Sequence, residues 1–287
     1  MRGDSVMIKN LQDTVLLNNG KKMPGLGLGV FQIPNEQTAT IVSEGIKAGY
    51  RLIDTAAVYG NEEGTGQGIK EGLAATGLSR EDLFITSKVW NAGLDYEETL
   101  IAFEDSLNKL GLTYIDLYLI HWPGTDDQYI EVYKALEHLY EEGKIKAIGV
   151  SNFEIHHLEK LLLETTVKPV VNQVELHPRL NQQELQAFCA ANDILIEAWS
   201  PLMQGKILKE PVLQEIAENH HRSVAQIVLR WDIQHEIIVL TKSVKTERLI
   251  SNAALFDFEL TEAEIQMIDE LDQHLRVGPD PDTFDFK

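Results

Sequence analysis

The sequence predicts an α/β protein closed into one eight-stranded parallel barrel, a (β/α)8 TIM barrel with an N-terminal β-hairpin and two additional helices. Three observations lead there. Eight short apolar, β-branched runs recur along the 287 residues. Most stretches between them are charged segments with apolar residues at helical spacing, as in Leu100, Phe103, Leu107 and Leu110, or Leu158, Leu161 and Leu162. No linker rich in Pro, Gly or Ser divides the chain, so residues 1–287 read as a single domain.

The runs are Gly25–Val30, Leu52–Asp54, Phe84–Lys88, Ile115–His121, Ala147–Ser151, Val170–Gln173, Leu195–Ser200 and Ile237–Lys242. Strand alternating with helix implies a parallel sheet, and eight such units in a chain of this length suit a closed barrel better than an open doubly wound sheet. Ahead of them, Thr14–Leu17, Asn19-Gly20 and Lys21–Met23 read as a hairpin, about residues 14–23, that plugs the barrel's lower end. The longest gap, between the seventh and eighth strands, holds two helical patterns, Val212–His220 and Ser223–Gln234. After the last strand come Thr246–Leu255 and Thr261–Leu271, then a tail, about 276–287, whose Pro, Gly and Asp content reads as loop.

Composition narrows the partners. Lys plus Arg number 25 against 45 Asp plus Glu, a net charge of −20, which argues against nucleic-acid and anionic-membrane partners. Apolar residues make up 44% and charged residues 24%, enough for a sizeable core. The single cysteine, Cys189, has no intrachain partner for a disulfide and sits in a helical stretch, Gln182–Ala191, as a packing residue. Asp4, Lys9 and Asp13 interrupt any apolar run at the start, and no stretch approaches the roughly 20 apolar residues of a membrane helix. A cytoplasmic monomer acting on a small molecule is the expectation, with the origin of the lead Met1-Arg2-Gly3-Asp4 left open.

In a barrel the carboxyl ends of all strands converge on one face. Asp54, Lys88 and His121 end the second, third and fourth runs, and Tyr59 follows Asp54 in a loop able to fold back over the mouth. Each residue taken alone has an ordinary role: Asp54 as a helix cap, Lys88 snorkelling to the surface, Tyr59 packing, His121 satisfied in the core. Together they must pair, because buried polar groups need partners. A tyrosine with a pKa near 10 gives up its proton reluctantly, and a neighbouring ammonium stabilises the phenolate. Lys88 would supply that ammonium, Asp54 would hold it, and His121 would orient a substrate oxygen. Such a group suits carbonyl reduction, with a hydride from a cofactor.

The sequence carries no dinucleotide fingerprint of the G-x-G-x-x-G type. Gly25-Leu26-Gly27-Leu28-Gly29 and Gly64-Thr65-Gly66-Gln67-Gly68 lack its final spacing, and the second continues a helical pattern. Lys242-Ser243-Val244-Lys245 with Arg248 is better placed for phosphate, where a strand gives way to a helix, although a solvated charge cluster has the same composition. Gly149-Val150-Ser151-Asn152-Phe153 departs from a nucleophile elbow at Phe153. The pairs His156-His157 and His220-His221 are adjacent on helical patterns, so their rings are expected to diverge, and no metal is expected.

These segments identify a resemblance. Gly49-Tyr50-Arg51-Leu52-Ile53-Asp54-Thr55-Ala56 through Tyr59, Ile85-Thr86-Ser87-Lys88-Val89-Trp90, Tyr118-Leu119-Ile120-His121-Trp122-Pro123 and Ile148-Gly149-Val150-Ser151-Asn152-Phe153 stand in the order found in aldo-keto reductases. The likeness runs from about Thr14 to the end. Glu197-Ala198-Trp199-Ser200-Pro201-Leu202-Met203-Gln204-Gly205 and Arg276-Val277-Gly278-Pro279 are similar to the bacterial glyoxal and methylglyoxal reductases of that family. The resemblance implies a catalytic tetrad of Asp54, Tyr59, Lys88 and His121, and NADPH/NADP+ bound extended across the barrel mouth.

By the same resemblance, Ser151, Asn152 and Gln173 would hold the nicotinamide carboxamide and Trp199 would stack on its ring. Gly29, Val30 and Asp54 would also touch the cofactor, and the loop with Ser200, Pro201, Leu202 and Gln204 would cover the pyrophosphate. Lys242, Ser243 and Arg248 would take the 2′-phosphate, with Asn252 on adenine and Val244 also touching the cofactor. Phe31, Trp90 and Trp122 would wall the substrate site beside His121. Three positions depart from the family pattern: Phe31 is often tryptophan, Thr241 replaces a proline, and Ser251 replaces a glutamate. The expected activity is reduction of small carbonyls, 2-oxoaldehydes first, with a keto-sugar reductase or an NADPH-binding sensor or structural barrel as alternatives. A phosphate-binding lyase or isomerase would leave the Trp199 and Gln173 matches without a role.

Overall fold

Strand by strand, the computed structural model closes the barrel. It describes residues 8–124 and 126–284; the lead Met1 to Asp4 and positions 285–287 of the tail lie outside the described residues. A hairpin of β1 (Thr14–Leu16) and β2 (Lys22–Pro24) precedes eight parallel strands: β3 (Leu26–Gly29), β4 (Leu52–Asp54), β5 (Phe84–Val89), β6 (Leu117–Ile120), β7 (Ile148–Ser151), β8 (Val171–Glu175), β9 (Leu195–Trp199) and β10 (Ile238–Thr241). They pair in chain order, and β10 returns to β3. Every expected strand is present. The ends differ by a residue or two: Lys88 is the penultimate residue of β5, while His121, Ser200 and Lys242 lie just past their strands.

Helices α1 (Asn35–Lys47), α2 (Glu62–Thr76), α3 (Tyr96–Leu110), α4 (Tyr129–Glu141), α5 (Ile155–Glu164) and α6 (Gln183–Ala191) follow β3 to β8 in turn. Between β9 and β10 stand α7 (Pro211–His220) and α8 (Val224–Gln234); α9 (Thr246–Ala253) and α10 (Glu262–Asp269) come last. Their starts are legible chemistry. Asp95 and Glu98 form a capping box for α3, Ser223 and Gln226 one for α8, Thr261 and Glu264 one for α10, and Pro211 opens α7. Phe103, Leu107 and Leu110 bury one face of α3, and Cys189 is buried in α6 among apolar neighbours.

Alternation along the strands sorts the barrel interior into levels. Leu52, Phe84, Leu117, Val171 and Ile238, each the first residue of its strand, cluster with Leu119 and Leu240. Leu17 and Met23 of the hairpin belong to this cluster, so the end opposite the strand carboxyl termini is filled with apolar side chains. Two residues further along their strands stand Asp54, Gln173 and, on β9, Glu197 above Leu195. The polar mouth and the apolar base are one periodicity.

The glycine-rich segments have packing roles. Gly64, Gly68 and Gly72 line one face of α2 against α1: a Cβ at Gly68 would lie 2.6 Å from the Ala39 carbonyl oxygen, and one at Gly72 would lie 2.6 Å from Ile46 Cδ1. Gly66 faces the Leu110 carbonyl at the end of α3. Gly27 in β3 lies against Leu240 and Leu52 inside the barrel. Because the contact at Gly68 is backbone and not a movable side-chain tip, Gly68→Ala is expected to destabilise the protein by about 1–3 kcal/mol in urea unfolding. An unchanged midpoint would mean that α1 and α2 separate freely.

Candidate active site

Lys88 decides the geometry. Its ammonium is buried, 0% exposed, and has three N–H groups to place. They go to Asp54 Oδ1 at 2.7 Å, the Thr55 carbonyl at 3.0 Å and the Tyr59 hydroxyl at 3.2 Å. Register brings this about: β4 and β5 pair Asp54 with Thr86, so Lys88 reaches beyond the end of β4. Tyr59 is not in an irregular loop but on a 3-10 turn, Ala57–Tyr59. That turn is tied down by Asn61, which accepts from Thr55 Oγ1 and donates to the carbonyls of Val30 and Ile33.

The electrostatics follow from burial. Desolvation works against the Lys88 charge, yet Asp54 and Tyr59 outweigh it and hold the lysine above its ordinary range. For Tyr59 burial is the largest influence and raises the phenol; Lys88 pulls it down, but the net shift is upward. The ammonium thus stabilises the phenolate as expected without making the resting phenol acidic, and Tyr59 keeps its proton. His121 is pushed well below its usual value by burial and then by Lys88, so its imidazole is neutral. Its Nδ1 is buried without a hydrogen-bond partner among the described residues, which leaves Nε2 as the nitrogen able to face the mouth.

Aromatic rings surround this group. Tyr59 and His121 meet edge to face at 5.7 Å, His121 and Trp90 at 5.4 Å, and His121 stacks with Trp122 at 6.5 Å. Phe31, 51% exposed, lies 4.9 Å from the Tyr59 ring. Four rings and an imidazole make a largely apolar wall with one polar edge.

On the other side of the mouth, Asn152 donates to the His121 carbonyl at 3.0 Å and to Ser151 Oγ at 3.1 Å, and Trp199 Nε1 donates to Asn152 Oδ1 at 2.9 Å. Gln173 turns its amide nitrogen to Asp54 Oδ2 at 2.9 Å and Glu197 Oε2 at 2.8 Å. With both amide hydrogens committed to carboxyl groups, its Oε1 is the acceptor on offer. Backbone strain gathers here too. Asn152, Ser200, Met203 and Gln204 all have φ between 50° and 63°, a left-handed conformation costly for residues other than glycine and frequent at binding sites. Pro201 is buried, Leu202 half-buried and Gln204 exposed in that loop, and Gly29 and Val30 are buried at the end of β3.

The phosphate candidates lie at the corner between β10 and α9. Lys242, Val244 and Arg248 are exposed there, while Ser243 is buried, its Oγ accepting from the Lys245 amide at 3.0 Å. Asn252 donates to Thr241 Oγ1 at 2.6 Å. The threonine that replaces the family's proline is therefore a hydrogen-bond acceptor that fixes Asn252.

Comparisons with known proteins show the family. Residues 25–273 match the Aldo/keto reductase family. The chain belongs to it. The Bacillus subtilis glyoxal reductase is 57% identical over 281 residues, 98% of this chain and 100% of that protein. The Escherichia coli K12 methylglyoxal reductase DkgA is 46% identical over 273 residues, 94% and 97% of the two chains. Among solved structures, a Bombyx mori aldo-keto reductase in complex with NADP is 34% identical with a TM-score of 0.87, covering 95% of this chain and 96% of its own. This aldo/keto reductase is an oxidoreductase by family; of its tetrad candidates, Lys88 holds Asp54 and Tyr59 directly, and His121 joins them through its edge contact with the Tyr59 ring.

Several features of the reductase were not foreseen. Glu197 is fully buried on β9; its signal was a lone charge in an apolar strand, two residues before Trp199 and on the same face. Phe284 of the tail lies 4.5 Å from Trp122 and 6.5 Å from Trp90, and nothing local in the sequence announces it. The tail is irregular as expected but anchored: Arg276 pairs with Glu154 at 2.5 Å, and the Val277 and Gly278 amides donate to Glu175. Gly278 packs against Trp199, where a Cβ would come within 2.5 Å of the indole.

The rings of His156 and His157 do not diverge. Their centroids are 3.9 Å apart because Asp282 of the tail faces both, 3.4 Å from His156 Nε2 and 3.9 Å from His157 Nε2. His157 Nδ1 accepts the Glu154 amide at the start of α5, so a neutral ring carries its proton on Nε2 toward Asp282. Burial and then His156 push His157 down to about 4, which keeps it neutral. That tautomer turns an N–H toward the carboxylate, and the trio brings the tail against the start of α5.

Removing the ammonium tests how far Asp54 depends on it. Lys88→Met leaves a buried carboxylate without its cation and is expected to cost about 3–5 kcal/mol in urea unfolding. Adding Asp54→Asn should recover part of that loss. Simple addition of the two single losses would show that the pair is not coupled.

Proposed function

We propose that this aldo/keto reductase reduces small aldehydes and ketones to alcohols with NADPH, that 2-oxoaldehydes such as methylglyoxal and glyoxal are its substrates, and that Tyr59 is the proton donor. One observation carries the reading: Lys88 donates to the Tyr59 oxygen, so the phenol's own O–H is directed away from the lysine and is available to a substrate. The names of the Bacillus subtilis and Escherichia coli relatives support the substrate class, and the NADP complex of the Bombyx mori enzyme supports the cofactor.

Bound NADPH supplies the hydride. His121 Nε2 holds the carbonyl oxygen beside the Tyr59 hydroxyl, and Tyr59 passes its proton to that oxygen as negative charge develops there. The ammonium of Lys88, 3.2 Å away, stabilises the phenolate left behind, and Asp54 keeps Lys88 in place. Phe31, Trp90, Trp122 and Phe284 exclude water around the reacting carbon. Ser151, Asn152 and Gln173 Oε1 hold the carboxamide, Trp199 covers the ring, and the strained loop with Ser200, Pro201, Leu202 and Gln204 follows Gly29 and Val30 along the cofactor. Lys242, Ser243, Val244, Arg248 and Asn252 take the adenosine end, where the α9 N-terminus adds its positive pole.

Tyr59→Phe removes only the proton. Its turnover of methylglyoxal is expected to fall by about 10²–10⁴-fold while NADPH still quenches tryptophan fluorescence; retained turnover rejects Tyr59 as the acid. A kcat/KM panel tests the substrate class, and keto-sugars outperforming 2-oxoaldehydes would overturn it. Arg248→Ala is expected to weaken NADPH by about tenfold or more, the worth of one charge-assisted hydrogen bond, and to leave NADH nearly unchanged. Equal losses for the two cofactors would reject the 2′-phosphate contact.

A further inference from the structure

Beneath the mouth lies a second carboxyl group that the reaction above does not use. Glu197, at the middle of β9, has no exposed surface. Its Oε2 accepts from Gln173, whose amide nitrogen also serves Asp54, and its Oε1 has no hydrogen-bond partner among the described residues. Its neighbours in register are Gln173 on β8 and Ile238 on β10. The charged groups that face it are Asp54 from β4 and Lys88 from β5, and Tyr59 feels its charge beyond them. Lys88 is already committed to Asp54, so Glu197 has no cation of its own.

We propose that Glu197 is a positioning residue that orients Gln173 and matches its protonation to the charge of the nicotinamide ring, staying neutral beside the reduced ring and ionising beside the oxidised one. The inference rests on reading Gln173 as a nicotinamide contact. Two carboxyl groups on one amide nitrogen fix which end of Gln173 faces the ring. With Asp54 and Glu197 both ionised, the interior would hold two negative charges against one ammonium, which burial disfavours. Burial first, then Asp54, push Glu197 up to about 8, against the Gln173 hydrogen bond and Lys88. The reduced ring is uncharged and leaves this balance intact; the oxidised ring carries a positive charge that offsets a second carboxylate. The proton that Glu197 releases goes to solvent. Linkage is reciprocal: if the oxidised ring favours ionised Glu197, ionised Glu197 favours the oxidised cofactor by the same factor.

The experiment is a pair of dissociation constants, for NADP+ and NADPH, read by tryptophan fluorescence from about pH 6.5 to about pH 9; one unit of pKa difference corresponds to about tenfold in their ratio. Titration of the 2′-phosphate affects both cofactors and cancels in the ratio. Wild type is expected to shift about tenfold toward NADP+ as pH rises, and Glu197→Gln to show a flat ratio. The same slope in both proteins overturns the proposal, and failure of wild type to bind either cofactor sinks the cofactor reading itself. Should Glu197→Gln not fold, proton release by wild type decides: indicator dye in weak buffer should record release on adding NADP+ and none with NADPH, and equal release overturns the proposal.

Discussion

A single buried ammonium organises the mouth of this barrel. Lys88 has three hydrogens and finds three acceptors, and each acceptor belongs to a segment that must then stay where it is. Asp54 fixes the end of β4; Thr55 and Tyr59 fix the turn that follows. Asn61 links that turn to Val30 and Ile33, beyond the end of β3, so three neighbouring βα corners are locked to one charge. The cost of burying that charge is of a size that makes loss of any acceptor felt throughout the group. The placement of the Tyr59 phenol is, in this protein, a consequence of satisfying a lysine.

Much of this was legible because period-2 alternation and strand ends carry it. Asp54, Lys88 and His121 each stand two residues beyond an inward-facing residue of their own strand, and the eight apolar runs gave their order around the barrel. Glu197 obeys the same parity, but a carboxyl without a cationic partner has no pairing logic to flag it in one dimension. Phe284 and Asp282 reach the site only through the path of the tail, which Glu175, Glu154 and the His156–His157 pair determine over separations of about a hundred residues or more. The expectation that adjacent histidine rings diverge assumed an undisturbed helix surface; a carboxylate arriving from the tail drew the two rings together. Gly64, Gly66 and Gly68 look like half a nucleotide fingerprint because close helix packing asks for the same residue as close approach of a phosphate.

Backbone strain gathers on one side of the mouth independently of any motif. Of the ten residues other than glycine with positive φ among the described residues, four lie at Asn152, Ser200, Met203 and Gln204, and Gln32 adjoins Phe31. A left-handed backbone at such residues persists only where the surroundings over-determine it. Here Asn152 is held by Trp199, Ser151 and His121, so the conformation that costs free energy also brings the Asn152 amide beside the His121 backbone.

Charge is then partitioned along the site. The interior pairs Asp54 with Lys88, and burial favours the uncharged forms of Glu197 and His121, so the space facing the aromatic wall carries little net charge. Lys242, Lys245 and Arg248 stand exposed at the β10–α9 corner, a small cationic rim on a body of net charge −20. A ligand with a polyanionic end and a nearly neutral reactive end fits that gradient in one orientation only, because reversal would bring phosphates against two carboxyl groups and an aromatic wall. On the proposed reading, the rim offers a compact anion the positive charge that the acidic body lacks. On the proposed cofactor assignment, orientation would follow from this gradient before any hydrogen bond to the ring is made, leaving Asn152 and Gln173 to fix the ring's final position.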